Sequence, residues 1–368
     1  MIEDQLKALF AARAADAPDT PDLADAVIRR ATAIRRRRTV LAAAACTVLV
    51  AAVALLAISP GPRSATEEFP VATPRPATVA FGERDVLLAD GTRRQVSGER
   101  LSAVQSVAGG WVTTTATAVS YVPVAGPPVV LGPGEATVAV NRAGTRVAVQ
   151  PWGEATEIRV FAFPGAAALG SSPASAQVVN RWAGEQLLVT TPNGDAGAVP
   201  YAYWTAGATA ALRGEMLTLG STDQAVIGLV PADGRACVVR VDLALAETAR
   251  ACGTGFSFAD GVPLLTPDGR FLIGPAEGRQ VRLDLAKAFA GEIDREEVTP
   301  REDYRLVWDS PSSAIYRSTG SQALARCDVV GGGGCSPYAV PEVGSAPARG
   351  LVPKYPDLDA GAATAVEP

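Results

Sequence analysis

Histidine is absent from all 368 residues, and that gap removes more chemistry than any motif supplies. Neither a Ser-His-Asp nor a Cys-His catalytic arrangement can be assembled without it. Imidazole ligation of zinc, copper or haem is excluded too, as is the usual proton shuttle near neutral pH. Enzymes built on paired carboxylates survive this filter. Lysine is scarce as well: arginine outnumbers it thirty to three, a bias typical of high-GC bacterial coding that carries no function by itself. There is no phosphate loop, because Gly331 to Gly334 is not followed by Lys-Ser/Thr and has no strand-to-helix setting. No Asp-x-Asp-x-Asp-Gly calcium loop occurs; Asp90, Asp233, Asp260 and Asp268 each precede a glycine as turn residues do.

What is present points to a packed chain of short strands. A hydrophobic content of 48 % argues against disorder, and 36 glycines with 28 prolines argue against a helical protein. The longest uncharged apolar run is Thr39 to Ile58, twenty residues rich in Ala, Leu and Val. At about 1.5 Å per residue such a helix spans about 30 Å, the thickness of a hydrocarbon core. Arg29, Arg30 and Arg35, Arg36, Arg37 and Arg38 precede it; Ser59-Pro60-Gly61-Pro62 and the acidic Glu67 and Glu68 follow. Basic residues stay on the cytoplasmic side. The expectation is a single-pass cell-membrane protein, its N-terminus cytoplasmic and residues 59–368 extracellular, with lipid contacted through residues 39–58. A cleaved signal peptide ending at Ala57-Ile58-Ser59 is the rival, weakened by Pro60 and by the long basic region. Arg37-Arg38-Thr39-Val40-Leu41 loosely resembles a twin-arginine export signal, which changes the route but not the side; Cys46 makes a poor lipobox.

Residues 1–38 then form a short helical tail of net charge +2, in which Thr20 caps and Pro21 opens a second helix. Its arginines fit anionic headgroups, with a cytoplasmic docking partner as the alternative. Residues 59–77 hold Pro60, Pro62, Pro70, Pro74 and Pro76 and predict an extended linker. The main domain is placed at 78–353, and 354–368 is a C-terminal tail.

Within 78–353, strand–turn–strand units recur. They centre on Gly109-Gly110, Asn141 to Gly144, Ala183-Gly184, Thr222-Asp223, Pro267 to Gly269 and Pro311 to Ser313, spaced on average about 41 residues apart, the length of a four-stranded propeller blade. An outer hairpin follows each: 119–131, 158–169, 201–212, 238–251, 281–293 and 324–340. One more outer hairpin, 85–96, comes first and turns at Asp90-Gly91. Seven outer and six inner hairpins predict an all-β, seven-bladed β-propeller. Its seventh blade is shared: residues 77–81 supply the second strand and the stretch near 349–352 returns as the innermost, leaving no long free edge. Six or eight blades, a sandwich, or an irregular solenoid stay open.

The segment Thr266-Pro267-Asp268-Gly269-Arg270-Phe271-Leu272-Ile273 resembles the Ser-Pro-Asp-Gly-Arg/Lys-x-Leu/Ile core of WD-like repeats in bacterial Tol-system-type propellers. Asn141 to Val149 is a degenerate copy, and the resemblance spans roughly residues 78–345. It implies an interaction surface and transfers no catalytic residue. The order of parts also resembles membrane proteins of high-GC Gram-positive bacteria, some of which are thought to partner extracytoplasmic-function sigma factors.

Five cysteines occur. Cys46 lies in the apolar run as a small hydrophobe. Cys237 and Cys252 sit symmetrically about Ala244-Leu245, and Cys327 and Cys335 flank Gly331 to Gly334. Antiparallel neighbours approach to about 4.5–5.5 Å between Cα atoms, within reach of a disulfide. Of the three connectivities, Cys237–Cys252 with Cys327–Cys335 is expected. Free thiols and a zinc site are the rivals; zinc is weakened because there is no Cys-x-x-Cys knuckle and each pair falls in a separate blade.

No catalytic, cofactor-binding or metal-binding residue is assigned. Carboxylates such as Asp223, Asp242, Asp284, Asp303 and Asp309 are candidates to line one propeller face as a glycosidase-like pair, against the plainer reading of solvated turns. Trp111, Trp152, Trp182, Trp204 and Trp308 are expected to pack between blades, with stacking on a sugar or peptide as the minority role. The tail's +2 out of a total of −5 leaves −7 on residues 59–368, the wrong sign for nucleic acid. The expected function is a tethered, non-enzymatic binding, scaffolding or sensing module for a protein, peptide or envelope glycan. The alternatives are a transmembrane regulator whose tail binds a sigma factor, and a carboxylate-based glycan hydrolase.

Overall fold

A computed structural model describes residues 75–355, except 153–156, 175–176, 193–196, 233–234, 260, 299–305, 318–323 and 332–333. The tail, the apolar run with Arg35 to Arg38 and Cys46, most of the linker and Asp303 therefore lie outside the described residues. Among the described residues no helix is long and apolar enough to cross a membrane.

The described chain forms seven consecutive antiparallel sheet units and one extra hairpin. The second sheet is typical: Leu101–Val107, Gly110–Thr115, Ala118–Pro123 and Val129–Pro133, hydrogen-bonded in chain order. The third (Ala136–Val140 to Ala167–Pro173), the sixth (Leu264–Leu265 to Arg295–Glu297) and the seventh (Leu306–Trp308 to Cys335–Tyr338) repeat that order. In the first sheet the order is Gly350–Leu351, Thr78–Phe81, Asp85–Leu88, Arg93–Gln95. The last-placed strand of the chain thus lies inside the first sheet, with Ala80 opposite Leu351 and Phe81 opposite Gly350, as expected for a shared unit. All six inner hairpins fall where the turn spacing placed them.

Three local features differ from the expected pattern. The fourth and fifth sheets are fused by one nine-residue strand, Arg213–Ser221. Its first part is the outer strand of the fourth sheet (Tyr201 opposite Arg213) and its second part the inner strand of the fifth (Leu217 opposite Leu229). Only the first strand of the expected outer hairpin 201–212 falls within those bounds; the second begins at Arg213, after them. In the sixth sheet a five-residue helix, Leu285–Phe289, replaces a plain turn, and the outer strand begins at Arg295. Asp284 caps that helix, accepting from the amides of Ala286 and Lys287. Finally, Glu342–Val343 pairs with Ala346–Pro347 in a small hairpin just before the closing strand.

The turns explain the repeat. In the Asn141 turn the side-chain Oδ1 accepts from the amides of Thr145 and Arg146 at 2.8 and 2.9 Å, and Gly144 sits at φ +71°. In the Thr266 turn the hydroxyl accepts from the Phe271 amide at 3.0 Å, and Gly269 sits at φ +72°. A short polar side chain opens each turn and a glycine takes the left-handed position.

Burial lies between sheets rather than within any one of them. Phe81, Val86 and Leu101 pack with Trp111 between the first and second sheets. Tyr121, Leu131 and Val149 pack with Phe163 between the second and third. Similar clusters join every later neighbour, through Leu229 with Leu283 (fifth to sixth) and Phe271 with Trp308 (sixth to seventh). Indoles at these interfaces also stitch neighbours through their N–H groups. Trp111 donates to Thr78 Oγ1 at 2.8 Å and Trp182 to the Ala139 carbonyl at 3.0 Å, while Trp204 reaches Ser172. Just past the Gly350–Leu351 strand, Lys354 donates to the Asp309 carbonyl at 2.8 Å, one hydrogen bond between the chain after the first sheet and a turn of the seventh. Sheets packed face to face in chain order, with a shared first sheet, make this a β-propeller.

Candidate functional site

In such an array the inner turns and outer turns of all sheets gather at one end. The middle turns and the inter-sheet connections gather at the other. The chain enters at the inner-turn end, where Arg75 donates from Nε to the Ser106 carbonyl at 3.0 Å and from Nη1 to the Arg142 carbonyl at 2.6 Å. Arg142 in turn reaches from the third sheet to the Ser221 carbonyl of the fifth.

Each end carries a cleft. The one at the inner-turn end, about 440 Å³, is bounded by Arg142, Asp223, Arg240, Asp268 and Arg270. The one at the opposite end, about 510 Å³, is bounded by the Gly82 to Asp85 turn, Arg93, Arg100, the 342–347 hairpin and Arg349. Both fall in the size range of small-ligand sites. Neither was legible in the sequence as a site. The signal, visible only once the topology is known, is that Arg84, Arg100 and Arg349 each immediately precede a strand that starts from the same end.

Of the described candidate carboxylates, three are engaged in local hydrogen bonds or ion pairs and one borders a cleft. Asp223 borders the first cleft. Asp242 closes the Ala244-Leu245 turn, its Oδ1 accepting from the Ala244 and Ala246 amides at 2.8 and 2.9 Å. Asp284 caps the short helix and meets Arg270 at 3.3 Å. Partial burial pushes its pKa up, but the Lys287 and Ala286 amides and Arg270 outweigh that, leaving it below the usual carboxylate range. Asp309 pairs with Arg326 at 3.0 Å and with Lys354 at 3.2 Å. Among the described residues no group of three or more Cys, Asp or Glu is placed to hold a metal.

Both expected disulfides are formed. Cys237 lies opposite Cys252 in the fifth sheet and Cys327 opposite Cys335 in the seventh, each pair bonded. Trp111, Trp182 and Trp308 are buried and Trp204 packs at the same interfaces, as expected. Trp152 does not: it is 67 % exposed, because it lies past the end of its strand, held by an indole bond to Thr137 at 3.1 Å.

Tyr203 is the described group most displaced in its titration. Burial pushes its phenol up to about 12, and the Asp242 carboxylate and Tyr201 add to the rise. The neutral phenol donates to the Asp242 carbonyl at 3.2 Å. Between pH 10 and about 12 the folded chain keeps a proton that the unfolded chain loses. The stability it contributes is therefore complete below pH 10 and lost as pH rises through that window. Alkaline unfolding followed by circular dichroism is expected to be less steep there in Tyr203→Phe than in the wild type.

No protein-family model matches the chain, and no curated protein matches it. Among solved structures, TolB from Acinetobacter baumannii is 12 % identical with a TM-score of 0.38, over 72 % of this chain and 63 % of that one. The chain therefore spans less than two thirds of that protein. BamB from Moraxella catarrhalis is 16 % identical at a TM-score of 0.35, over 63 % of this chain and 70 % of that one. The β-propeller domain of the Trilobed protease from Pyrococcus furiosus is 10 % identical at 0.44, over 66 % and 83 %. Likeness at that level is one of architecture alone, and the architecture is already fixed by the sheets of this chain: it is a β-propeller with WD-like inner turns.

Proposed function

We propose that the chain is a membrane-tethered propeller of seven blades closed into a ring, displayed outside the cytoplasm as a non-enzymatic module that binds a protein or peptide. Residues 39–58 anchor it, Arg35 to Arg38 hold the N-terminus inside, and residues 59–77 space the ring from the bilayer. The observation that carries the reading is the pair of cross-strand disulfides, Cys237–Cys252 and Cys327–Cys335, in a chain with an uncharged twenty-residue run upstream of them. Such bonds persist on the oxidising side of a membrane and are rare in the cytosol. Two clefts at opposite ends of the ring offer concave surface for a partner. The scattered duties of Asp242, Asp284 and Asp309 favour binding over carboxylate hydrolysis.

The test is a pair of fusions at residue 368. Alkaline phosphatase, which folds only outside the cytoplasm, is expected to be active, and green fluorescent protein exported unfolded is expected to be dark. The reverse pattern overturns the topology and with it the outward-facing binding surface.

A further inference from the structure

The cleft beside the closing strand has a charge arrangement that packing alone does not require. Arg84, Arg93, Arg100 and Arg349 border it against only two carboxylates, Glu83 and Asp85, a net of +2. Both carboxylates already face cations: Asp85 meets Arg93 at 2.5 Å, and Glu83 lies 4.0 Å from Arg100. Arg349 is different. Its Nε and Nη1 are buried and find no hydrogen-bond partner among the described residues. A guanidinium never sheds its proton in a protein, so this side chain cannot relieve the cost by neutralising. Its backbone is fixed as well, since the Arg349 amide donates to the Phe81 carbonyl at 2.8 Å, and the neighbouring Ala348 and Gly350 are buried. The backbone of Arg349 is held by the closing-strand pairing, and its side chain borders the cleft with two buried donors unmet.

We propose that this cleft binds the terminal carboxylate of a peptide, with Arg349 as the charge-assisted donor and Arg84 and Arg100 drawing the anion in. Buried, unpaired guanidinium donors match a planar oxyanion, which takes two parallel N–H bonds from one arginine. Charge alone suits phosphate equally; the wall selects. Val343 and Pro347 of the small hairpin face the same space and suit the short apolar side chain beside a peptide terminus. The hairpin insertion, which has no counterpart in the repeat, thereby gains a purpose: it supplies the apolar side of an otherwise cationic site.

This inference rests on the binding-module reading and names its ligand class. The experiment titrates the full chain in mild detergent with N-acetyl-Ala-Ala, its C-terminal amide and inorganic phosphate, followed by saturation-transfer NMR. The free acid is expected to bind about tenfold or more tightly than the amide. Arg349→Gln is expected to weaken the acid by a similar factor, about tenfold, and Arg100→Gln, on the exposed rim, by about threefold. Arg100→Gln decides the matter where Arg349→Gln lowers the melting temperature. Equal binding of acid and amide, phosphate displacing the acid at lower concentration, or binding indifferent to both substitutions each overturns the proposal. A negative titration beside an active phosphatase fusion removes this site and leaves the topology standing.

Discussion

Replacing Trp182 by alanine is expected to destabilise the domain by about 3–5 kcal/mol, the range for removing a buried aromatic side chain. Trp182 is 2 % exposed and packs with Ile158, Val160 and Leu187 between the third and fourth sheets. Two losses combine. A large void opens at an interface whose strands are anchored elsewhere and cannot collapse into it. The Ala139 carbonyl also loses the indole donor at 3.0 Å. Trp182→Phe separates the two, keeping most of the packing while removing the N–H, and is expected to cost about 1–3 kcal/mol. Trp152→Ala is the control: with its ring 67 % exposed, a change within about 0.5 kcal/mol is expected. Denaturant titration of the three variants reads all of this. An equal effect of Trp182→Ala and Trp152→Ala contradicts the inter-sheet core.

The second large effect concerns the fifth sheet. Substituting Cys237 and Cys252 together by alanine is expected to cost about 3 kcal/mol, from a covalent loop set by a sequence separation of 15. Cys327→Ala with Cys335→Ala opens a shorter loop, separation 8, and is expected to cost slightly less, about 2.5 kcal/mol. Alanine is the right replacement because Cys237 and Cys327 are buried, and a serine hydroxyl there adds a polar penalty of its own. Reductant added to the wild type is expected to lower its unfolding midpoint to that of the quadruple variant. A midpoint indifferent to reductant contradicts the account.

Much of this architecture is legible in the residues because each blade announces itself locally. Two inner hairpins are marked by both a capping side chain and a left-handed glycine, Asn141 with Gly144 and Thr266 with Gly269, and the others carry one of the two signs. The disulfides follow from hairpin symmetry: once the turn at Ala244-Leu245 is placed, pairing puts Cys237 opposite Cys252. The closing strand follows from a count, since seven outer hairpins with six inner ones leave one inner pair to be supplied by the two ends.

What escapes local reading depends on partners distant in the chain. Nothing in Arg213–Ser221 breaks the strand where one sheet hands over to the next, because no turn residue separates the Met216 and Leu217 pairings. The helix Leu285–Phe289 is too short to show a helical period, so its only sign is the Asp284 cap. The cleft at the closing strand is the extreme case. Arg84 and Arg349 are far apart in sequence and border one cleft only because Gly350–Leu351 pairs with Thr78–Phe81. Sites formed by topology have no sequence signature until the topology is known.

Ring closure is therefore the claim on which the shared blade, the cleft and its fixed arginine all depend, and one cross-link tests it. Ala80→Cys and Leu351→Cys place two thiols on directly opposed residues of the first sheet, within reach of a disulfide. After oxidation, peptide mass spectrometry is expected to find residues 80 and 351 joined, alongside Cys237–Cys252 as proof that the conditions oxidise. Free thiols at 80 and 351 in a sample whose Cys237–Cys252 bond is intact would contradict the closed ring.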